Sequence, residues 1–274
     1  MCATSTLLCS HLVIQKISLL RPLLHWRKYE HRHGLIQSLL YGHFNRSIST
    51  TQRKAKDICI RVIKPADRQR VLEFLRIHFY CDKPYVVATT ANINNTALTE
   101  PDKADEDYNI SKIEHGTCLM AVDQQSQATV GVLLAGPKGP NEAELLSIRA
   151  AKEGLTKWSV ILKLWERAER ESNVYKRYGV QRVLHCTVLA VDRNIRGKRI
   201  GARLFNELQE LGKTWNYELV TVDCTSYYSS KLCKQLGWEC VNEIYYNEYV
   251  NENGHAMVNA KPPHVCCRTY AVRL

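Results

Sequence analysis

From Asp57 onward, apolar and polar positions along this 274-residue chain fall into short, alternating periodic segments. Ile58–Ile63 (ICIRVI) is a β-branched run that predicts a strand. Pro65-Ala66-Asp67 offers a helix start with Asp67 as N-cap, and Val71, Leu72, Leu75 and Phe79 follow at helical spacing. Thr117–Val122 and Thr129–Leu134 predict two strands around the polar turn DQQSQ. A long helix is predicted from Leu155 to about Tyr175, with Val160, Ile161, Leu164 and Trp165 on one face. Val183–Val191 reads as strand, Gly201–Leu211 as helix and Leu219–Asp223 as strand. Ser226–Leu236 reads as a helix closed by Gly237. Glu239–Tyr249 and Val265–Val272 read as final strands. This order gives an α/β (α+β) domain, a mixed sheet flanked by helices.

Residues 1–56 read differently. They carry nine Lys and Arg against the single acid Glu30, so they hold +8 of the formal net charge of +11. An acid-poor, Arg- and Ser-bearing leader is what a mitochondrial transit peptide requires, and a disordered basic leader without an address has the same composition. The expected organisation is therefore a leader over 1–56 and one domain over 57–274, in the cytoplasm or the mitochondrion. With only +3 left for the domain, the basic charge is poor support for a nucleic-acid binder, and none is expected as partner. No run of 18 apolar residues is present, so no membrane span is expected; the best stretch, Thr6 to Leu20, is broken by His11 and Lys16. Eleven cysteines without a CxxC pair show no zinc spacing, so no metal is expected, and they suit reduced thiols. Between Leu98 and Tyr108, Glu100, Asp102, Asp105, Glu106 and Asp107 read as a solvated acidic loop, or as a negative lip that would attract cationic amines.

The informative segment is CTVLAVDRNIRGKRIGARLFNEL, Cys186 to Leu208. A hydrophobic strand enters a tight basic loop, Arg196-Gly197-Lys198-Arg199-Ile200-Gly201, that opens directly into a helix with Ala202. Backbone N–H groups at a helix N-terminus together with Arg196, Lys198 and Arg199 make a site for phosphates, and glycine permits close backbone approach. The spacing is neither the P-loop nor the dinucleotide fingerprint, which favours another carrier of a pyrophosphate.

This segment resembles the acetyl-CoA motif of the GNAT superfamily, [RQ]-x-x-G-x-[GA], with Arg196 at its first position and Gly201 at its last. Arg199 stands where the middle glycine is usual, which an ordinary backbone angle at residue 199 would accommodate. The runs RVIKPADRQRVLEFLRIHFYCDKPY and DCTSYYSSKLCKQLGWECVNEIYYNEY resemble the insect arylalkylamine N-acetyltransferases across most of 58–274. The resemblance implies a GNAT fold, a central, mostly antiparallel, splayed sheet flanked by helices. It implies a monomer that moves an acetyl group from acetyl-CoA to a small amine, with an arylalkylamine as the expected acceptor. It places the thioester carbonyl against Leu189, Ala190 and Val191, where the strand splays. Thr225 and Ser229 match hydroxyl residues with substrate and acid roles in that family and, four apart, would share a helix face; Tyr228 is a further candidate beside the sulfur. Capping by Ser226 explains the same hydroxyl cluster without catalysis. The family's general base is a Glu before Pro, and Lys83 occupies that position in this sequence. Asp82 taking its place, a neutral Lys83, or a different or absent chemistry are the open alternatives. His185, early in the strand, reads as a core or supporting residue. A non-catalytic acyl-CoA binder is the alternative to an enzyme.

Overall fold

The computed structural model describes residues 57–82, 85–87, 102–154 and 156–274. All of these lie in the compact unit Lys54–Leu274. The leader 1–56, with its transit reading, lies outside the described residues, as does Lys83.

Seven strands form one sheet in the order β1 (Ile58–Val62), β3 (Leu119–Asp123), β4 (Thr129–Lys138), β5 (Val183–Val191), β6 (Leu219–Cys224), β9 (Cys266–Arg273) and β7 (Glu239–Tyr245). The β5–β6 pair is parallel and the other pairs are antiparallel. Two short strands, β2 (Tyr85–Val87) and β8 (Val258–Ala260), pair antiparallel with each other. The helices are α1 (Arg68–His78), α2 (Lys103–Ser111), α3 (Glu142–Lys152), α4 (Lys157–Ser172), α5 (Val174–Tyr178), α6 (Ile200–Thr214) and α7 (Tyr227–Gln235). No helix among the described residues is long and apolar enough to cross a membrane.

Both faces of the sheet are covered. On one face Val71, Phe74 and Leu75 of α1 pack with Met120, Val122, Val132, Leu134, Val188 and Ala190. Beside them, Trp158 and Trp165 of α4 meet edge to face at 5.4 Å against Tyr108 of α2. The opposite face carries α6, whose Ile200, Leu204, Phe205, Leu208 and Leu211 are buried. Gly131 of β4 admits this helix: a Cβ there would lie 3.1 Å from both Ile200 and Leu204.

Three local expectations change. The long helix is two, because Asn173 adopts a left-handed backbone (φ 36°, ψ 53°) between α4 and α5 and its side chain accepts from Lys176 N. Asn tolerates that conformation better than most residues. Asp67 precedes α1 but does not cap it by side chain; its carboxylate takes both Arg61 Nη atoms at 2.7 Å and Lys64 N at 2.8 Å. Of the acidic segment, Glu100 lies outside the described residues, and Asp102 to Asp107 are the start of α2 rather than a loop. Asp102 caps it through Ala104 N, and Asp105 and Glu106 are only 3% and 5% exposed. Arg76 holds Glu106 with two bonds of 2.7 Å, and Asp105 accepts from Asn109. Glu106 is spent on the α1–α2 contact and Asp105 on a bond within α2, so these two charges form no open acidic lip.

Phe205 is fully buried and stacks on Trp238 with ring centroids 4.8 Å apart. Phe205→Ala is expected to cost about 3–5 kcal/mol, seen as a lower urea midpoint by tryptophan fluorescence. A loss below about 1 kcal/mol would show that α6 is not anchored there.

Candidate active site

The site begins where two neighbouring strands part. β5 pairs with β4 along its whole length, from Val183↔Lys138 to Val191↔Gly131. With β6 it pairs only over Val183–Cys186 and Leu219–Val222. Past Cys186, the residues Thr187–Val191 have no partner on β6. A wedge opens in the middle of the sheet, lined on one side by backbone groups that sheet pairing would otherwise use.

A bulge sits at the mouth of the wedge. Leu134 pairs with Val188 and Ala135 with Cys186, leaving Thr187 as the extra residue. It resets the alternation. Leu184 and Leu189, five apart, therefore both face α6, since Cβ positions built on Gly212 and Gly201 lie 3.6 and 3.5 Å from their Cδ2 atoms. Val188 and Ala190 face α1.

The loop after β5 is pinned before it turns. Asp192 accepts from Asn194 N at 2.9 Å, and Arg193 donates to Ile77 O at 2.9 Å. Gly197 has φ 86° and Arg199 has φ 60°. The ordinary backbone angle expected at Arg199 is thus corrected: the position is left-handed, and this is why glycine suits it. Arg199 is the N-cap residue of α6 and makes no side-chain cap bond. The first amides of α6 are the donors that every helix leaves unpaired. Arg196, Lys198 and Arg199 are exposed around them. Ile200 and Ala202 point their side chains into the core, so they offer the loop only backbone. Gly201 serves packing: a Cβ there would sit 3.1 Å from Leu232 and 3.5 Å from Leu189.

Opposite the loop, α7 starts where β6 ends. Ser226 is its N-cap, accepting from Ser229 N at 3.1 Å, and Ser229 Oγ donates to Ser226 O at 2.9 Å. The capping explanation therefore holds. Ser229 also hydrogen-bonds the Cys224 thiol, whose own neighbour Cys233 lies 3.6 Å away. Thr225 precedes the cap and is not on the helix, so it does not share a helix face with Ser229; its carbonyl accepts from Tyr246 OH at 2.7 Å. Tyr228 is 65% exposed and meets His264 edge to face. Asp82 ends a 3-10 turn at Tyr80–Asp82, and its side chain lies outside the described residues.

On the face away from α6, the floor of the wedge holds a polar cluster that sequence reasoning missed apart from His185. Lys138, the last residue of β4, is ion-paired with Glu169 of α4. Its ammonium stands 3.4 Å from His185 Nδ1, which also meets Thr221 Oγ1 at 2.9 Å. His185 Nε2 is 3.7 Å from Asp223 Oδ2, and Asp223 Oδ1 accepts from Thr269 at 2.7 Å. Burial, then Lys138 and Lys112, holds His185 well below the usual imidazole range. Burial pushes the Asp223 carboxyl up to about 6, against the opposing pull of Lys138. The ligand atoms of Glu169, His185 and Asp223 lie within 4.8 Å of one another. The Lys138 ammonium already supplies a cation there. A sequence signal existed: Glu169 falls one turn beyond Trp165 on the apolar stripe of α4.

No protein-family model matches the chain. Solved structures do. An agmatine N-acetyltransferase is 30% identical, with a TM-score of 0.72 over 80% of this chain and 100% of that one. A Drosophila melanogaster polyamine N-acetyltransferase that forms N-acetylagmatine is 31% identical, with the same TM-score of 0.72 and the same coverage of 80% and 100%. A mosquito arylalkylamine N-acetyltransferase like 5b is 29% identical at a TM-score of 0.72, over 79% of this chain and 100% of its own. With this likeness over the whole length of those proteins, and with the split central sheet that precedes a basic helix N-terminus, the chain belongs to the GNAT-fold family of insect arylalkylamine and polyamine N-acetyltransferases.

Proposed function

We propose that the chain transfers an acetyl group from acetyl-CoA to the primary amine of a small acceptor, with arylalkylamines as the first class. The observation that carries this is the early end of β5–β6 pairing at Cys186, with the α6 N-terminus at the far end of the freed strand. The wedge and the loop fit acetyl-CoA by their chemistry. Uncapped first-turn amides of α6, the left-handed Gly197 and the exposed Arg196, Lys198 and Arg199 suit a pyrophosphate. Acetyl-CoA supplies an activated acyl group as its thioester. The backbone N–H groups along Leu189, Ala190 and Val191 that β6 does not take are donors for a carbonyl oxygen as negative charge grows on it. Ser229, at the opposite wall, is the candidate to return a proton to a departing thiolate, its hydroxyl turning from Ser226 O to do so. Agmatine and polyamines form the second acceptor class, favoured because the 30% and 31% identical relatives carry them in their names.

With full-length protein, CoA release from acetyl-CoA is expected with at least one of dopamine, tyramine, tryptamine, agmatine and spermidine. Acetyl-CoA binding without turnover on any of them would sink the enzyme reading and leave a non-catalytic binder.

Ser229→Ala keeps the backbone N–H that Ser226 accepts, so its fold is expected to hold. Its kcat is expected to fall by about 10²-fold. An unchanged kcat would remove Ser229 from the chemistry.

Arg199→Gly relieves a left-handed side-chain residue but loses one cation. Stability is expected to stay level or rise by up to about 1 kcal/mol, while the KM for acetyl-CoA rises. A lower KM, or a clear loss of stability, would contradict a phosphate-binding role for this position.

A further inference from the structure

An acceptor amine enters this reaction as an ammonium and must lose a proton before it attacks. We propose that Asp223 accepts that proton, held for the task by Thr269 and facing His185 at the floor of the wedge. This rests on the acetyl-transfer reading and names its missing base.

Position is the first support. The β5–β6 pairing ends at Cys186↔Val222, so Asp223 is the first residue of β6 beyond the fork. Its carboxylate is on the face away from α6, with His185 and Glu169. The phosphate loop belongs to the α6 face. With acetyl-CoA on the α6 face, the opposite face of the gap is left for the amine, and that is the side of Asp223. β5 and β6 are the fourth and fifth strands of seven, where helices on both faces should exclude water. His185 still keeps 14% side-chain exposure, so the floor is open at its edge, while Asp223 beneath it keeps 4%.

Hydrogen-bond roles single out Asp223 within the cluster. Lys138 Nζ, which can only donate, faces His185 Nδ1 at 3.4 Å. In the tautomer whose Nδ1 lone pair meets this ammonium, Nε2 carries the ring proton toward Asp223. That tautomer has no lone pair left for a substrate. Glu169 is ion-paired to Lys138. Asp223 has one oxygen on Thr269 and the other at 3.7 Å from Nε2, beyond hydrogen-bond length, with capacity to take a proton. The groups facing it are Lys138 from β4, His185 from β5, Glu169 from α4, Tyr108 from α2 and Cys267 from β9. Its carboxyl, lifted by burial to about 6, is ionised at neutral pH and still basic enough to be protonated in passing.

The balance is simple. The ammonium gives one proton to the Asp223 carboxylate, directly or through one water. The neutral nitrogen forms the C–N bond as the C–S bond breaks. The second proton, lost by the new amide nitrogen, replaces the one Ser229 hands to the thiolate, and Asp223 releases its own to solvent. Amide, CoA thiol and one net proton result.

The test is the pH profile of kcat/KM for wild type, Asp223→Asn and Glu169→Gln in the full-length protein. Each is run with phenethylamine and with 2,2-difluoro-2-phenylethylamine, whose fluorines raise the unprotonated share at neutral pH far above that of phenethylamine. Wild type is expected to lose activity as pH falls through about 6. Asp223→Asn is expected to lose about 10²-fold with phenethylamine at pH 7, to rise steadily with the free-amine fraction, and to recover most of the loss with the fluorinated amine. Glu169→Gln removes a negative charge that raises the Asp223 pKa, so its acidic limb moves to lower pH. An Asp223→Asn enzyme that keeps the wild-type limb, or falls equally on both amines, overturns the proposal. Wild type inert on both amines and on all five acceptors named above overturns the acetyl-transfer reading and this one with it.

Discussion

Backbone N–H and C=O groups are obligatory hydrogen-bonding groups, and a buried strand that stops pairing must hand them to something else. β5 is the fourth strand of seven, bound to β4 over its full length and to β6 over four residues only. Everything at the candidate site follows from this unequal pairing. The bulge at Thr187 lets β5 continue along β4 while its side chains keep the correct faces. Gly201 lets α6 close down on Leu189 and Leu232, so the helix N-terminus arrives at the end of the freed strand. α7 begins where β6 stops, and its Ser226 cap fixes Ser229 on the far wall.

The floor of the wedge carries an electrostatic cost. A buried ion pair such as Lys138–Glu169 regains little net stability once its desolvation is counted. Apolar residues of similar volume would serve the fold at least as well. The cluster is better understood through what it sets, namely a neutral His185 and an Asp223 carboxyl lifted toward neutrality. The acids Asp105 and Glu106 differ: Glu106 holds α2 to α1 through Arg76, and Asp105 is satisfied within α2 by Asn109.

Much of this was legible in the chain. The strand Val183–Val191 has its predicted bounds, because a β-branched run between polar turns leaves little choice. The basic loop, the helix after it and the Ser226 and Gly237 stops of α7 were legible for similar local reasons. α3 was not: it buries only Ala143, Leu146 and Ala150 while Leu145 and Ile148 stay exposed, which blurs the helical period. The start of α2 hid because paired, buried acids look the same in sequence as solvated ones. The left-handed angle at Arg199 was masked by its residue type. The cluster of Lys138, Glu169, His185 and Asp223 comes from four separate elements, so no local spacing announces it.

Amide hydrogen exchange with and without acetyl-CoA bears most directly on the wedge. If the freed edge of β5 and the first turn of α6 hold this molecule, Thr187–Val191 and Ile200–Arg203 gain protection on its addition, while β1, β3 and β7 do not change. Protection confined to other segments, or none with acetyl-CoA shown to be bound, would contradict the claim that the parting of β5 from β6 builds the site.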